Sequence, residues 1–357
     1  MVERKNPSWK KYVRQVTPYT PGEQSDDADI IKLNTNENPY PPCKGVRDAL
    51  KDFDYESLRK YPDPAIRELR AEIANYHNVG MENVFVGVGS DDVIAMCYMT
   101  FFNSAKAILF PDITYSFYDV WAEEFGVPYE KQPLTDDFRI VESDYYEENG
   151  GIIIPNPNAP TGIAEGKDFF RKIVAHNTDS IVIVDEAYVD FGAESVDSLI
   201  HSCDNLIVVR TLSKSRSLAG SRIGYALADE ELIKAMHDVK YSFNSYTIDR
   251  ITMKLGVEAI KDEAYFRENV EKIICTKNWT YNKLKDLGFE VFESSSNFLF
   301  AKPKGISAAD LYKELKARKI LVRFFDKPRI NEYLRITIGT DDEMAKFIDV
   351  VSDILSK

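Results

Sequence analysis

The sequence predicts an α/β fold: a large domain with a mostly parallel sheet covered by helices on both faces, plus a smaller α+β domain. Three observations predict it. Between residues 46 and 250, apolar runs rich in β-branched residues alternate with helical patterns, which marks a layered α/β domain. Ile181-Val-Ile-Val184 is apolar throughout, as a strand covered on both faces must be. From about Asp249 a long helical stretch leads into residues 251–357, where short strands mix with capped helices. Residues 1–45 are Pro/Asn-rich and polar, and read as an arm that joins the small domain.

Taken in order, Val84-Phe-Val-Gly-Val-Gly-Ser-Asp-Asp92 reads as a strand, a glycine turn and a helix start. Ser90 or Asp91 suits the N-cap, so free N–H groups and the positive helix end would face an anion. A plain helix start would look the same. Gly87-x-Gly89 suggests a dinucleotide turn, but Asp92 stands where the third glycine belongs, which argues against one. Ala107–Phe110 is the next strand. Gly151–Ile154 then ends in the loop Pro155-Asn-Pro-Asn-Ala-Pro-Thr-Gly162, whose prolines fix φ and so set the direction of Asn156 and Asn158.

Ile181–Val184 stops at Asp185 and Glu186, with Tyr188 just beyond. Functional groups gather at the carboxyl ends of parallel strands, so Asp185 could hold a ring nitrogen protonated; equally, it could cap a turn. Leu206–Val209 is followed closely by Lys214, flanked by Ser213 and Ser215, and then by Arg222. A lysine that condenses with an aldehyde needs a rigid strand end, partial desolvation and cations nearby. The aldehyde implied is pyridoxal 5′-phosphate, with the serines and Arg222 on its phosphate. A basic, Ser-rich loop without chemistry is the plain alternative for that segment alone. Three strand ends carrying an amide, an acid and a lysine are harder to dismiss.

In the last third, Phe289–Phe292, Phe298–Ala301 and Tyr333–Ile338 read as strands. Ser307-x-x-Asp310 and Thr340-x-x-Glu343 are capping-box patterns, and the apolar stripes behind them are core. Arg335 alternates with Leu334 and Ile336, and a partly buried guanidinium wants a bidentate anion. Together with Arg323 it favours a dianion such as a phosphomonoester. Surface placement or a salt bridge would be the ordinary fate of either arginine.

With 357 residues, 44% of them hydrophobic, the chain can bury a large core. A net charge of −13 makes a nucleic-acid surface improbable and makes a pocket of arginines a local positive exception that would steer an anion. The four cysteines and four histidines are scattered, which argues against a metal site and fits free thiols in a reducing cytoplasm. No run approaches a membrane span, and Met1-Val-Glu-Arg-Lys-Asn6 lacks a signal-peptide core.

Asn156-Pro-Asn-Ala-Pro-Thr-Gly162, Val184-Asp-Glu-Ala-Tyr188 and Thr211-Leu-Ser-Lys-Ser215 with Gly220-Ser-Arg222 resemble the signature blocks of fold-type I pyridoxal-phosphate aminotransferases, which share an aspartate-aminotransferase-like fold. Thr17–Gly22, Leu33–Tyr40, Arg59–Pro64, Leu321–Arg323 and Tyr333–Gly339 look most like the histidinol-phosphate branch. Aromatic aminotransferases and threonine-phosphate decarboxylases share most of these blocks. The resemblance implies a homodimer that transfers an amino group between L-histidinol phosphate and 2-oxoglutarate. Lys214 would be the Schiff-base lysine and proton shuttle, Asp185 would meet the ring nitrogen and Tyr188 the ring's phenolic oxygen. Ser213, Arg222 and the backbone amides of Ser90 and Asp91 would hold the phosphate, and Tyr115 would stack on the ring. Tyr61 would reach the partner subunit's cofactor. Arg335 and Arg323 would bind the substrate's acidic groups, with Tyr19 and Asn36 closing the pocket. Ala159 replaces an asparagine common in relatives, so the amide contact must come from Asn158 or be missing. Arg216, where small or aromatic residues are commoner, is expected to face solvent. An inactive cofactor-binding scaffold and a nucleotide-binding α/β protein are the readings from other classes.

Overall fold

The computed structural model describes residues 8–356; the expectation for Met1–Asn6 lies outside them. The central sheet has seven strands, in the spatial order Val84–Gly87, Gly224–Ala228, Leu206–Thr211, Val182–Asp185, Gly151–Pro155, Ile108–Pro111 and Tyr129–Gln132. Every pairing is parallel except the two made by Gly224–Ala228. Side chains alternate across the pleat. Val182, Val184, Leu206 and Val208 enter one core, with Leu69, Ile73, Phe170, Ile173 and Val257 from helices on that face. Ile183, Ile207 and Val209 enter the other, with Val93, Ile94, Cys97, Tyr118, Ile233 and Met236. Burial on both faces is the physical reason these strands are apolar at every position.

Register places the chemistry. Pro155, Asp185 and Val209 lie side by side across three adjacent strands. The antiparallel strand starts at the same edge, Gly224 pairing with Thr211 on one side and Gly87 on the other. The segments after Gly87, Pro111, Pro155, Asp185 and Thr211, and the one before Gly224, therefore share one rim.

One expectation about a helix start is corrected, and the helical stretch from Asp249 is resolved into its parts. The helix Gly89–Phe101 begins at Gly89, so neither Ser90 nor Asp91 caps it; instead the Asp92 carboxylate accepts from the Val88 N–H at 2.8 Å. The long stretch from Asp249 is two helices, Arg250–Lys261 and Glu263–Asp286. Asp249 caps the first and Asp262, at the break, caps the second.

Beyond the break, a four-stranded antiparallel sheet runs in the order Arg323–Phe324, Leu334–Thr337, Phe298–Lys302, Glu290–Val291. Its core joins Leu299, Leu334 and Ile336 to Ile273, Leu311, Phe347 and Val351 from three helices. Ser307 and Thr340 cap their helices. Ile31–Lys32 pairs in parallel with Ile320–Leu321, tying the arm to this unit. Among the described residues no helix is long and apolar enough to cross a membrane.

Candidate active site

Along that rim lies a cavity of about 1040 Å³, counting its open mouth. Its walls include Lys214, Asp185, Tyr188, Ser213, Arg222, Ser90, Asp91, Tyr115, Tyr19, Asn36, Arg323 and Arg335. Lys214 is half-buried at a loop start, its Nζ donating to the Thr35 carbonyl at 3.3 Å and standing 5.7 Å from the centre of the Tyr188 ring. Asn38 Nδ2 clamps that loop by donating to the carbonyls of Lys214 and Ser215. The Tyr188 hydroxyl accepts from Asn36 Nδ2 at 2.9 Å. Asn36 is in turn fixed by Thr337 and Asn297, from two strand ends of the small sheet.

Asp185 is buried. Desolvation lifts its carboxyl to a pKa of about 6, against hydrogen bonds from the Tyr118 hydroxyl and the Ala187 N–H. A buried acid of this kind, short of hydrogen-bond donors, is suited to pair with a cationic ring nitrogen. Sequence pattern alone marks Tyr118 as core. Its place in a helix whose apolar face turns to the sheet concealed that the hydroxyl reaches Asp185 at 2.8 Å.

At one end of the cavity a guanidinium meets a helix start. Gly89, at φ +83°, lets the Arg222 guanidinium lie against the helix start; a Cβ there would come within 2.4 Å of an Arg222 nitrogen. Gly224 is needed for the same approach, since its Cβ would meet the Ser90 nitrogen at 2.3 Å. Arg222 donates to the Asp91 carboxylate at 3.2 Å, and the Tyr115 hydroxyl donates to the other Asp91 oxygen at 2.7 Å. The Ser213 and Thr211 hydroxyls are 2.9 Å apart beside them.

The opposite wall carries a second cationic region. Arg335 donates to the Asn34 carbonyl at 3.1 Å, but its buried Nε has no partner. Burial first, and then neighbouring Arg323, lower its pKa from the ordinary arginine value. The two arginines face each other across paired strands, with Phe298 and Phe325 rings against Arg335. Arg323 also touches the Thr20 and Pro21 carbonyls of the arm, both at 3.4 Å. Tyr19 stacks on Phe117 at 4.3 Å at the mouth. Buried oxygens of Asn34 and Thr35 in this wall are likewise unpartnered.

Three residues sit differently from expectation or apart from the cavity. Asn158 does not line it: its amide is spent on the Ile113 carbonyl, Thr161 and Thr114, while Ala159 faces the space. Of the two expectations, an amide contact from Asn158 or none, this engagement of the Asn158 amide favours the second. Arg216, expected in solvent, is buried; it donates to the Ala259 and Ile260 carbonyls at a helix C-terminus, pairs with Glu263 and packs on Tyr76 and Phe266. Tyr61 is 78% exposed and stacks on Tyr246, outside this chain's own cavity.

The family described as aminotransferase class I and II matches residues 28–351. A histidinol-phosphate aminotransferase of Brachyspira hyodysenteriae is 50% identical over 343 residues, covering 96% of this chain and 97% of the relative. The solved histidinol-phosphate aminotransferase of Clostridium acetobutylicum superposes with a TM-score of 0.84 over 92% of this chain and 99% of its own, at 23% identity. That of Sinorhizobium meliloti, solved with pyridoxal-5′-phosphate, gives 0.81 over 90% and 91%, at 21% identity. At those identities the two structures speak for the fold.

Proposed function

This chain belongs to the class I and II aminotransferases, and from that premise we propose that it moves an amino group between L-histidinol phosphate and 2-oxoglutarate using pyridoxal phosphate. The observation that carries this is one cavity with an amine and a buried acid between two separate cationic ends. The end at Gly89, Ser90, Ser213 and Arg222 fits the cofactor phosphate, because the absence of a Cβ at both glycines lets the Arg222 guanidinium and the Ser90 backbone nitrogen come together there, beside the Ser213 hydroxyl. The other, with its unpartnered Arg335 Nε, fits the acidic group of a substrate. The roughly half-identical relatives named for histidinol phosphate favour that substrate over threonine phosphate or an aromatic amino acid.

When bound, pyridoxal phosphate supplies an aldehyde that condenses with amines and a ring that accepts electron density as a proton leaves carbon. The chain's residues supply the rest. Asp185 holds the ring nitrogen protonated. Lys214 would anchor the cofactor through its Nζ, and the same amine would hold the proton that moves between carbons. Tyr188, oriented by Asn36, donates towards the phenolic oxygen, unaided by Asn158. Tyr115 covers the ring, while Arg335 and Arg323 orient the substrate phosphate and exclude water under Tyr19.

A homodimer acting in the cytoplasm completes the reading. Tyr55, Leu58 and Tyr61 are exposed on one segment, with exposed Tyr246 stacked on Tyr61; a second subunit would cover them and receive Tyr61 at its own site. The experiment is a substrate panel on purified protein: histidinol phosphate, phenylalanine and threonine phosphate, each with 2-oxoglutarate. Glutamate should form fastest from histidinol phosphate, and Lys214→Ala should lose both turnover and the visible absorption. Carbon dioxide released from threonine phosphate without a keto acid, or full activity in Lys214→Ala, would overturn the proposal.

A further inference from the structure

Outside the cavity lining lies a buried charge cluster centred on Arg210, a residue of the strand Leu206–Thr211 that leads to Lys214. Its Nε donates to Glu186 at 3.0 Å, one terminal nitrogen to Asp190 at 3.2 Å, and the other to Ser195 at 2.8 Å, with Asp197 at 3.7 Å. His77 closes the cluster, its two ring nitrogens meeting Asp197 at 3.0 Å and the Tyr225 hydroxyl at 2.9 Å. Each acid has a place in the chain that matters. Glu186 follows Asp185 directly. Asp190 lies two residues after Tyr188, and its second oxygen accepts from the Ser215 hydroxyl at 2.5 Å, directly after Lys214. One planar guanidinium thus grips the segments bearing the acid, the phenol and the amine, although they come from two strands and their following loops.

We propose that Arg210 is the positioning residue of this centre, fixing the mutual placement of Asp185, Tyr188 and Lys214 through Glu186 and through the Asp190–Ser215 link. This rests on the reaction proposed above. A purely structural ion cluster would stabilise the fold without caring which acid it held. Here one acid, Glu186, lies within the Asp185–Tyr188 turn and the other, Asp190, just beyond it, and Asp190 carries the constraint across to the lysine loop. Arginine suits the task because its fork is rigid and always charged, whereas a lysine ammonium is a single flexible point.

The test compares Ser215→Ala, Ser215→Thr and Arg210→Lys with the parent. Ser215→Ala cuts only the link to the lysine loop and leaves the Arg210 contacts intact. Its melting temperature should stay close to the parent's, while kcat falls on the order of 10- to 100-fold, as small misplacements do. KM should change by less than about two-fold, the pattern of an interaction felt in the transition state. The pH midpoint of the bound cofactor's visible band should also move. Ser215→Thr should restore both. Arg210→Lys should show the same split beyond any loss of folded protein. Affinity of each apoprotein for pyridoxal phosphate gives a readout independent of the substrate: it should weaken in Ser215→Ala and Arg210→Lys and recover in Ser215→Thr. If the parent turned over a different substrate, the proposed reaction would fail while these comparisons still stood. Folded Ser215→Ala and Arg210→Lys proteins matching the parent in affinity, spectral midpoint and kcat would overturn the inference.

Discussion

Tyr118→Phe removes the one hydroxyl among the described residues that hydrogen-bonds the Asp185 side chain and leaves a fully buried ring in place. Burial lifts Asp185 from 3.8 to about 6, and the Tyr118 hydrogen bond is the largest influence opposing that rise. A hydrogen bond to a charged group contributes roughly 1.5–3 kcal/mol, equivalent to about one to two pKa units at ~1.4 kcal/mol each. The variant's Asp185 should therefore titrate near pH ~7–8. Because the folded pKa lies above the unfolded one, the cofactor-free protein binds the proton more tightly when folded. It therefore loses stability as pH rises from the unfolded value of 3.8 to about 6. That loss is roughly 3 kcal/mol in the parent, complete above pH ~6. In the variant it continues to pH ~8, so the gap between the two proteins should widen by roughly 1.5–3 kcal/mol between about pH 5 and 8. Urea unfolding of both apoproteins across this range measures the gap. A gap that stays constant with pH would refute the coupling of Tyr118 to the Asp185 charge.

Gly89→Ala should weaken cofactor binding on the order of ten-fold, because its Cβ would strike Arg222 at a positive φ that costs about 1–3 kcal/mol in other residues; fluorescence titration of the apoprotein with pyridoxal phosphate reads it. Arg335→Leu should raise KM for histidinol phosphate on the order of 30-fold or more, since a charge-assisted contact contributes roughly 2–3 kcal/mol. Its melting temperature should hold or rise, as a buried cation with an open Nε is removed. Arg216→Met should lower unfolding stability by roughly 2 kcal/mol, measured in urea, because two helix-end carbonyls and Glu263 lose their donor.

The sheet was legible because burial on both faces writes a simple signal: Ile181–Val184 and Leu206–Val209 have no polar position, and each is followed by the residues that reach the rim. The same logic pointed to Asp185 and Lys214, and the structure brings both to one cavity. What stayed hidden depends on contacts distant in sequence. Nothing near Asn158 says that Thr114 and the Ile113 carbonyl will take its amide. Arg216 looks like a surface charge until the helix end at Ala259–Ile260 is folded against it. Helix Gly89–Phe101 starts earlier than Ser90 because Asp92 reaches back to Val88, a choice among three polar neighbours that local pattern does not decide. Tyr118 reads as core, which it is, and its hydroxyl becomes visible only once the helix is laid over the strand bearing Asp185.

Because Thr211 is paired with Gly224 and the Leu212 N–H donates to the Ile223 carbonyl at 3.0 Å, the chain between them forms a closed ring of main chain carrying the lysine near one end and Arg222 near the other. The Lys214 amine and the Arg222 guanidinium, which the proposed function assigns to the cofactor's aldehyde and phosphate, are therefore not independent parts that could drift or be spaced anew. Inserting a single residue in this ring would shift the register of the antiparallel strand and turn its side chains to opposite faces, or else bulge the ring into the cavity. The length of this connection should be as intolerant of change as the lysine itself, even at positions such as exposed Gly220 whose own substitution would cost little.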